Sequence, residues 1–336
     1  MIPPMLLHWM YNLTITHVNR TDSGEYRCVA SNELGNDTSN VATLDVQYPP
    51  EITVHPEAET KSEEENVTLS CKADGNPVPT MSWTRNGFPV DQSGRISFSA
   101  DKKQLTITHV NRTDSGEYRC VASNSLGNDT SKASTVDVQY QPKITVDPQA
   151  VTTTEGGNLT LSCNATGNPV PTMSWTRDGS PVNTSGRISF SDNKTQLTIM
   201  DVSRTDSGEY RCVATNRAGN DTSNAATLNV QYQPEITVHP RSVVKTEGDN
   251  VTLSCNATAN PVPTISWFRD GSPVDSSRIS FSEDNKQLTI TDVNRTDSGE
   301  YRCVASNELG NDTSNAATLD IQGNVLSMLE FIFMQL

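Results

Sequence analysis

The chain has 336 residues, of which 34% are hydrophobic and 19% charged, and its formal net charge is −15. The acidic balance argues against nucleic acid and other polyanions as partners, because binding them requires a basic surface. No apolar run reaches the roughly 20 residues that a membrane-spanning helix needs. The seven cysteines are an odd number, and their spacing organises the rest of the sequence.

The cysteines mark an internal repeat. They lie at positions 28, 71, 120, 163, 212, 255 and 303, so gaps of 43 and 49 residues alternate and the last gap is 48. Residues 18–47 and 293–322 differ at only two of 30 positions. Such a period predicts serial copies of one structural unit. We expect domains at 49–140, 141–232 and 233–322, a partial domain at 1–48 that holds only the last three strands, and an unassigned apolar tail at 323–336.

Each copy reads as short β-strands. Val67, Leu69 and Cys71 alternate with polar residues, which is the pattern of a strand with one buried face. The Gly-Asn-Pro-Val-Pro stretch at 75–79 predicts a loop, since proline cannot donate to a central strand, and Asn86-Gly87 predicts a tight turn. In chain order, strands are predicted at 66–72, 81–85, 95–98, 104–108, 116–122 and 135–139. The fold class is therefore all-β, a sandwich or barrel.

Four landmarks recur in register in all three copies. In the first, Trp83 follows Cys71 by 12 residues, Cys120 follows it by 49, and Tyr118 lies two residues before the second cysteine. This constellation resembles the immunoglobulin superfamily, and the resemblance covers residues 12–322. The short segment between Trp83 and Arg95 resembles the intermediate or C2 set, which forms tandem arrays like those of carcinoembryonic-antigen-related adhesion molecules and hemicentins.

The resemblance implies tandem β-sandwiches, each with one disulfide between its sheets. The implied pairs are Cys71–Cys120, Cys163–Cys212 and Cys255–Cys303, with Cys28 left unpaired. The implied core residues are Trp83, Trp175, Trp267, Tyr118, Tyr210 and Tyr301, each tyrosine hydroxyl bonding back to upstream backbone. The expected ion pairs are Arg95–Asp114, Arg187–Asp206 and Arg278–Asp297.

The sequence also predicts an oxidising compartment. Disulfide-dependent domains belong outside the cytosol, and the chain carries fifteen Asn-x-Ser/Thr sequons, the acceptors of N-linked glycans. An intracellular muscle-type array would need neither the paired cysteines nor the sequons. We expect glycans at Asn36, Asn66, Asn111, Asn128, Asn158, Asn164, Asn183, Asn193, Asn220, Asn250, Asn256, Asn294 and Asn311.

The residue pattern argues against an enzyme. His109 is replaced by Asp201 and Asp292 in the other copies, and His55 by Asp147, so the copies share no histidine for acid–base catalysis. No cysteine or histidine spacing predicts a metal site, and no glycine-rich phosphate loop follows a strand. The acidic run at 63–65 is expected to be a solvated loop. We expect no cofactor, no metal and no catalytic residue.

The remaining functional feature is the surface. We expect an adhesion or recognition protein, extracellular or on the cell surface, that binds cell-surface or matrix proteins, including a second copy of itself. Junctions such as Tyr48-Pro-Pro-Glu51 predict a semi-rigid array. The alternatives are the ectodomain of a signalling receptor and a secreted matrix array. We expect the chain to be part of a longer protein, with membrane association only through an anchor outside it.

Overall fold

The computed structural model describes residues 11–275 and 277–323. Residues 1–10 of the expected partial domain and the apolar tail from residue 324 lie outside the described residues. The chain divides into two compact units. Among described residues, the first holds 11–141, 167–169 and 217–219, and the second holds the rest. Single-turn 3₁₀ helices occur at Arg20–Asp22, Arg112–Asp114, Arg204–Asp206 and Arg295–Asp297. Within the described part, no helix is long and apolar enough to cross a membrane.

The N-terminal segment forms open strand pairs. Its strands are β1 (Gly24–Tyr26), β2 (Val29–Asn32), β3 (Gly35–Thr38) and β4 (Ala42–Leu44). β1 pairs with β4 and β2 with β3, both antiparallel. The expectation of three strands differs from this arrangement, because residues 12–15 form no strand and each of the other two is broken in two. No side chain between residues 11 and 48 is buried.

The first complete repeat is a two-sheet sandwich. One sheet has the order β10-β9-β13-β15, with β14 beside β13 and β6 parallel to β15; the facing sheet has the order β11-β12-β7. β5 pairs with β8. The bounds are β5 (Tyr48–Val54), β6 (Glu59–Ser62), β7 (Val67–Ser70), β8 (Lys72–Asn76), β9 (Thr80–Arg85), β10 (Phe88–Pro89), β11 (Ile96–Phe98), β12 (Gln104–Ile107), β13 (Gly116–Asn124), β14 (Gly127–Thr130) and β15 (Ser134–Val146).

The second repeat has the same topology, with sheets β20-β19-β23-β25 and β17-β22-β21. β24 lies beside β23, and β16 runs parallel to β25. Its strands are β16 (Val151–Thr154), β17 (Leu159–Ser162), β18 (Asn164–Asn168), β19 (Thr172–Arg177), β20 (Ser180–Pro181), β21 (Ile188–Phe190), β22 (Gln196–Ile199), β23 (Gly208–Asn216), β24 (Gly219–Thr222) and β25 (Ala226–Val238).

The third repeat follows the same plan, with sheets β30-β29-β33-β35 and β27-β32-β31. β34 lies beside β33, β26 runs parallel to β35, and β28 pairs with β25. Its strands are β26 (Val243–Thr246), β27 (Val251–Ser254), β28 (Asn256–Asn260), β29 (Thr264–Arg269), β30 (Ser272–Pro273), β31 (Ile279–Phe281), β32 (Gln287–Ile290), β33 (Gly299–Asn307), β34 (Gly310–Thr313) and β35 (Ala317–Gln322).

Each complete repeat has its own hydrophobic core. The alternation in β7 places Val67 and Leu69 opposite Ile107 and Leu105 of β12, and all four side chains are at most 1% exposed. The buried residues of the three cores fall within 52–138, 159–230 and 236–321, and no core shares a residue with another. We propose the domain boundaries at 140, 232 and 322 from this separation. The first two fall inside β15 and β25, so the last strand of one domain continues into the first of the next.

Candidate interaction surfaces

A disulfide joins the two sheets of each complete domain. The pairs are Cys71–Cys120, Cys163–Cys212 and Cys255–Cys303, all with their Cα atoms 6.5 Å apart. In the chain-entropy model, closing a loop of this length stabilises a domain by about 4 kcal/mol. Cys28 is free and exposed. Each disulfide therefore links the two sheets of its sandwich covalently.

The tryptophan expected in each core lies directly opposite a disulfide cysteine. Trp83 of β9 is paired with Cys120 of β13, and the same pairing joins Trp175 to Cys212 and Trp267 to Cys303. These side chains are 2–4% exposed. Each indole Nε1 still donates a hydrogen bond, to the carbonyl oxygens of Lys102, Lys194 and Asn285, all at 2.8 Å. The sequence did not predict these bonds, which remove the cost of burying an indole N–H.

A tyrosine and an ion pair close one end of each sandwich. The Tyr118 hydroxyl donates to the main-chain oxygen of Asp114 at 2.8 Å, and Arg95 donates to both carboxylate oxygens of Asp114 at 2.7 and 3.3 Å. The copies repeat this geometry: Tyr210 and Tyr301 bond to the carbonyls of Asp206 and Asp297, and Arg187 and Arg278 donate to the two carboxylates. The structure therefore brings the two residues of each expected ion pair together in all three domains.

The carboxylates at this end are almost inaccessible to solvent. Burial disfavours the charged form of Asp114, but the Arg95 guanidinium and the Asn111 amide N–H outweigh burial and hold the pKa of Asp114 below its ordinary value. Arg187 and the Ser203 amide lower the pKa of Asp206 in the same way, again against burial. The buried Asp114 side chain is 3% exposed, whereas that of Arg95 is 38% exposed. The pattern is that of a structural ion pair.

The Asn-Arg-Thr-Asp sequence that precedes Tyr118 and Tyr301 is a capping box. The side-chain oxygen of Asn111 accepts from the backbone N–H of Thr113 at 2.9 Å, while Asp114 accepts from the backbone N–H of Asn111. Asn294 repeats this cap, and Ser203 replaces the asparagine in the second repeat. Sequence reasoning missed the cap, although an asparagine three residues before an acidic residue was the signal for it. The cap uses Oδ1 of Asn111 and does not involve Nδ2, the atom that a glycan would modify.

The predicted glycan acceptors all lie on or near the surface. Asn111, Asn256 and Asn294 are half-buried, and the other ten are exposed: Asn36, Asn66, Asn128, Asn158, Asn164, Asn183, Asn193, Asn220, Asn250 and Asn311. Asn128 is paired with Ser123 across β14 and β13, and Asn311 with Ser306. Occupancy of these sites remains a prediction. Glycans there would stand at one end of the sheet that contains β9 and β13.

The outer face of that sheet carries both charge and apolar surface. On β13, Glu117 and Arg119 form an exposed ion pair at 3.9 Å, and the pairs Glu209–Arg211 and Glu300–Arg302 repeat it. Val121, Val213 and Val304 follow on the same strands and are half-buried. The facing sheet presents uncharged residues, such as Ser97, Thr106 and Thr68 in one cross-strand row. The two faces thus differ in chemistry.

The polar groups elsewhere have structural partners. Nδ1 of His55 accepts from the backbone N–H of Lys132 at 3.2 Å, and Asp147 accepts from Asn224 at the equivalent place. Glu63 of the acidic run pairs with Arg112 at 3.3 Å. Within the described ranges, no group of three or more His, Cys, Asp or Glu could hold a metal ion. These contacts give no arrangement of a base, a nucleophile and an oxyanion site.

Comparison with known families agrees with this geometry. The family model described as "Immunoglobulin domain" matches residues 49–124 and 233–307, and the one described as "Immunoglobulin I-set domain" matches residues 8–46 and 142–230. The chain belongs to the immunoglobulin superfamily. Among solved structures, this immunoglobulin array is similar to the I-band fragment I67–I69 from titin, with a TM-score of 0.60 and 25% identity over 82% of this chain and 100% of that chain.

Curated relatives of the array include a neural cell adhesion molecule. Protein sax-3 of Caenorhabditis elegans is 35% identical over 94% of this chain, and neural cell adhesion molecule 1 of Gallus gallus is 33% identical over 90%. Hemicentin-1 of Mus musculus is 36% identical over 89%. This chain spans only 26%, 29% and 5% of their respective lengths. The expected resemblance to hemicentin-like arrays is confirmed.

Proposed function

We propose that this chain is part of an extracellular or cell-surface adhesion or recognition protein, with a non-enzymatic role and with other cell-surface or matrix proteins as partners. The observation that carries this proposal is the serial repetition of one rigid, disulfide-closed sandwich with the same outer sheet face in every copy. Weak contacts repeated along one chain add through effective concentration, so such an array binds strongly without a deep pocket.

The relatives support the class of function. Their names include a neural cell adhesion molecule and roundabout homologs, and a solved complex of Dpr2 with DIP-Theta resembles this chain with a TM-score of 0.59 and 26% identity. That complex joins two immunoglobulin proteins to each other. We infer the same kind of partner here, a second immunoglobulin chain, with self-association as the first case to test.

Bead aggregation of the purified array tests this proposal. The outer face of β13, β23 and β33 is changed by Val121→Lys, Val213→Lys and Val304→Lys together, which adds charge to the half-buried strip. The matched control places three lysines on the facing sheets through Gln104→Lys, Gln196→Lys and Gln287→Lys, all exposed positions. We expect aggregation to be lost only in the valine variant.

The outcomes separate the candidate roles. No aggregation of the wild-type array would reject self-association and leave binding to a different immunoglobulin partner, measured by surface capture of candidate ectodomains. Equal aggregation by both lysine variants would reject the β13 face. A signalling-receptor ectodomain or a secreted matrix array remains the second candidate, supported by the similarity to roundabout homologs and to hemicentin-1.

A further inference from the structure

An arginine in the second unit contacts both sides of a domain junction. The guanidinium of Arg204, at the start of a 3₁₀ turn, lies over the ring of Tyr232, with its Cζ 4.3 Å from the ring centroid. Its Nη1 pairs with Glu235 at 2.9 Å, three residues beyond the tyrosine in β25, and its Nη2 pairs with Glu155 of its own domain at 3.2 Å. One side chain thus bridges residues 141–232 and residues 233–322.

The first unit contains the same arrangement at its own junction. Arg20 lies over Tyr48, with Cζ 4.5 Å from the centroid, and pairs with Glu51 at 2.8 Å. The Tyr48 hydroxyl also donates to Asp74 at 3.0 Å. Arg20, Tyr48 and Glu51 have the same spacing in sequence as Arg204, Tyr232 and Glu235. The arrangement therefore recurs at two junctions of the chain.

The chain supplies its own comparison. After the last repeat the junction tyrosine is replaced by Gly323, and the Arg295 side chain is 63% exposed, against 38% for Arg204. Arg112 lies over Tyr140 at 4.4 Å, but the residue at the position of Glu51 and Glu235 is Lys143. The arginine side chain is 38–49% exposed where a tyrosine ring is present and 63% exposed where it is absent, which is the expected result if the ring provides part of its contact surface.

The geometry requires arginine in particular. A guanidinium is planar, so its face can stack on a ring while its edge donates to carboxylates in the same plane. Lysine offers a point charge without a stacking face. A second tether stands beside the first, because Asn260 Nδ2 donates to the main-chain oxygen of Val230 at 2.8 Å and to the side chain of Asn229 at 2.7 Å. The Arg204 contacts and the Asn260 hydrogen bonds together restrain the angle between the two domains more than the connecting backbone alone would.

We propose that Arg204, stacked on Tyr232 and paired with Glu235, is an interdomain clamp that narrows the range of angles between its two domains, and that Arg20 does the same with Tyr48 and Glu51. The clamp is partly ionic and solvent-exposed, so salt weakens it. It is a positioning device: it fixes how neighbouring outer faces are presented, whatever partner binds them.

The test measures a distance distribution in the full chain. Nitroxide labels are placed at Gln196→Cys and Gln287→Cys, exposed and equivalent positions in the two domains, with Cys28→Ser to remove the free thiol. Electron–electron double resonance then gives the width of the distribution. We expect Arg204→Gln and Glu235→Lys to broaden it about twofold, since either change removes the charged arm of the clamp. Glu235→Lys introduces the residue found at the equivalent position of the preceding junction, where Lys143 lies three residues after Tyr140.

Control variants make the result specific. Glu155→Gln removes only the partner within the same domain, and Arg295→Gln alters an arginine without a junction tyrosine; both should keep the narrow distribution. Raising NaCl from about 0.05 M to about 0.5 M should broaden the wild-type distribution and leave Arg204→Gln unchanged. Equal widths for wild type, Arg204→Gln and Glu235→Lys would overturn the proposal, as would equal broadening by Arg295→Gln.

Discussion

Replacing Asp114 by asparagine should destabilise the first complete domain and spare the second. The carboxylate is 3% exposed and accepts from Arg95 at 2.7 and 3.3 Å and from the Asn111 amide at 2.9 Å. Asparagine keeps one acceptor atom but loses the charge and leaves Arg95 facing a neutral amide.

The expected cost follows from that geometry. Breaking a fully buried ion pair costs about 3–5 kcal/mol, and exposed pairs contribute about 1 kcal/mol or less. Because Asp114 is buried and Arg95 is 38% exposed, we expect an intermediate loss of about 2–4 kcal/mol in the free energy of unfolding.

Hydrogen exchange measured by mass spectrometry resolves this effect by domain. Amides of β12 and β13 should exchange about 30- to 1000-fold faster in Asp114→Asn, since 1.4 kcal/mol corresponds to a factor of ten. Amides of β22 and β23 serve as the internal reference, and Glu57→Gln is the control for an exposed carboxylate in the same domain. Acceleration below about threefold, or equal acceleration in β22, would refute the reasoning.

Four further predictions concern the same features. Acidification should destabilise the domains that contain Asp114 and Asp206, because the pKa values of these carboxyl groups lie below the ordinary value. The stabilisation is complete above about pH 4 and is lost as the pH falls through the folded-state pKa. Hydrogen exchange of the β12 and β22 amides at decreasing pH measures this loss. Tyr210→Phe should cost about 1–2 kcal/mol by leaving the buried Asp206 carbonyl without its donor, as measured by β23 exchange. Trp175→Ala should cost about 3–5 kcal/mol through the cavity beside the disulfide, again seen in β23. Enzymatic removal of N-glycans from secreted protein should increase its gel mobility, and an unchanged mobility would reject the predicted sites.

The repeated landmarks carried most of the fold prediction. Alternation in residues 67–71 predicted β7 with its inward face, and the family resemblance carried by Cys71, Trp83 and Cys120 implied the sandwich and its disulfide. These features are local or have a fixed spacing, so a pattern shows them directly. The capping box at Asn111 is equally visible, as an asparagine three residues before an aspartate, but it was not predicted from the sequence.

Other contacts depend on residues that are far apart in sequence. The backbone N–H of Ile52 donates to Asp129, 77 residues later, and the Trp83 indole donates to a carbonyl 19 residues away. The half-burial of Val121 also depends on neighbours from other strands. No spacing rule predicts such pairs, because their distances are set by how the two sheets and their loops pack.

The sequence by itself determined the all-β class, the repeat and the acidic character that argues against polyanionic partners, and the pairing of six cysteines followed from its resemblance to the immunoglobulin superfamily. Only the tertiary structure showed that Arg204 stacks on Tyr232 and reaches Glu235. Arg204 lies in a 3₁₀ turn, and its two partners, Tyr232 and Glu235, lie in β25, 28 and 31 residues later. Their meeting depends on the antiparallel pairing of β23 with β25, which brings the turn beside the start of the next domain.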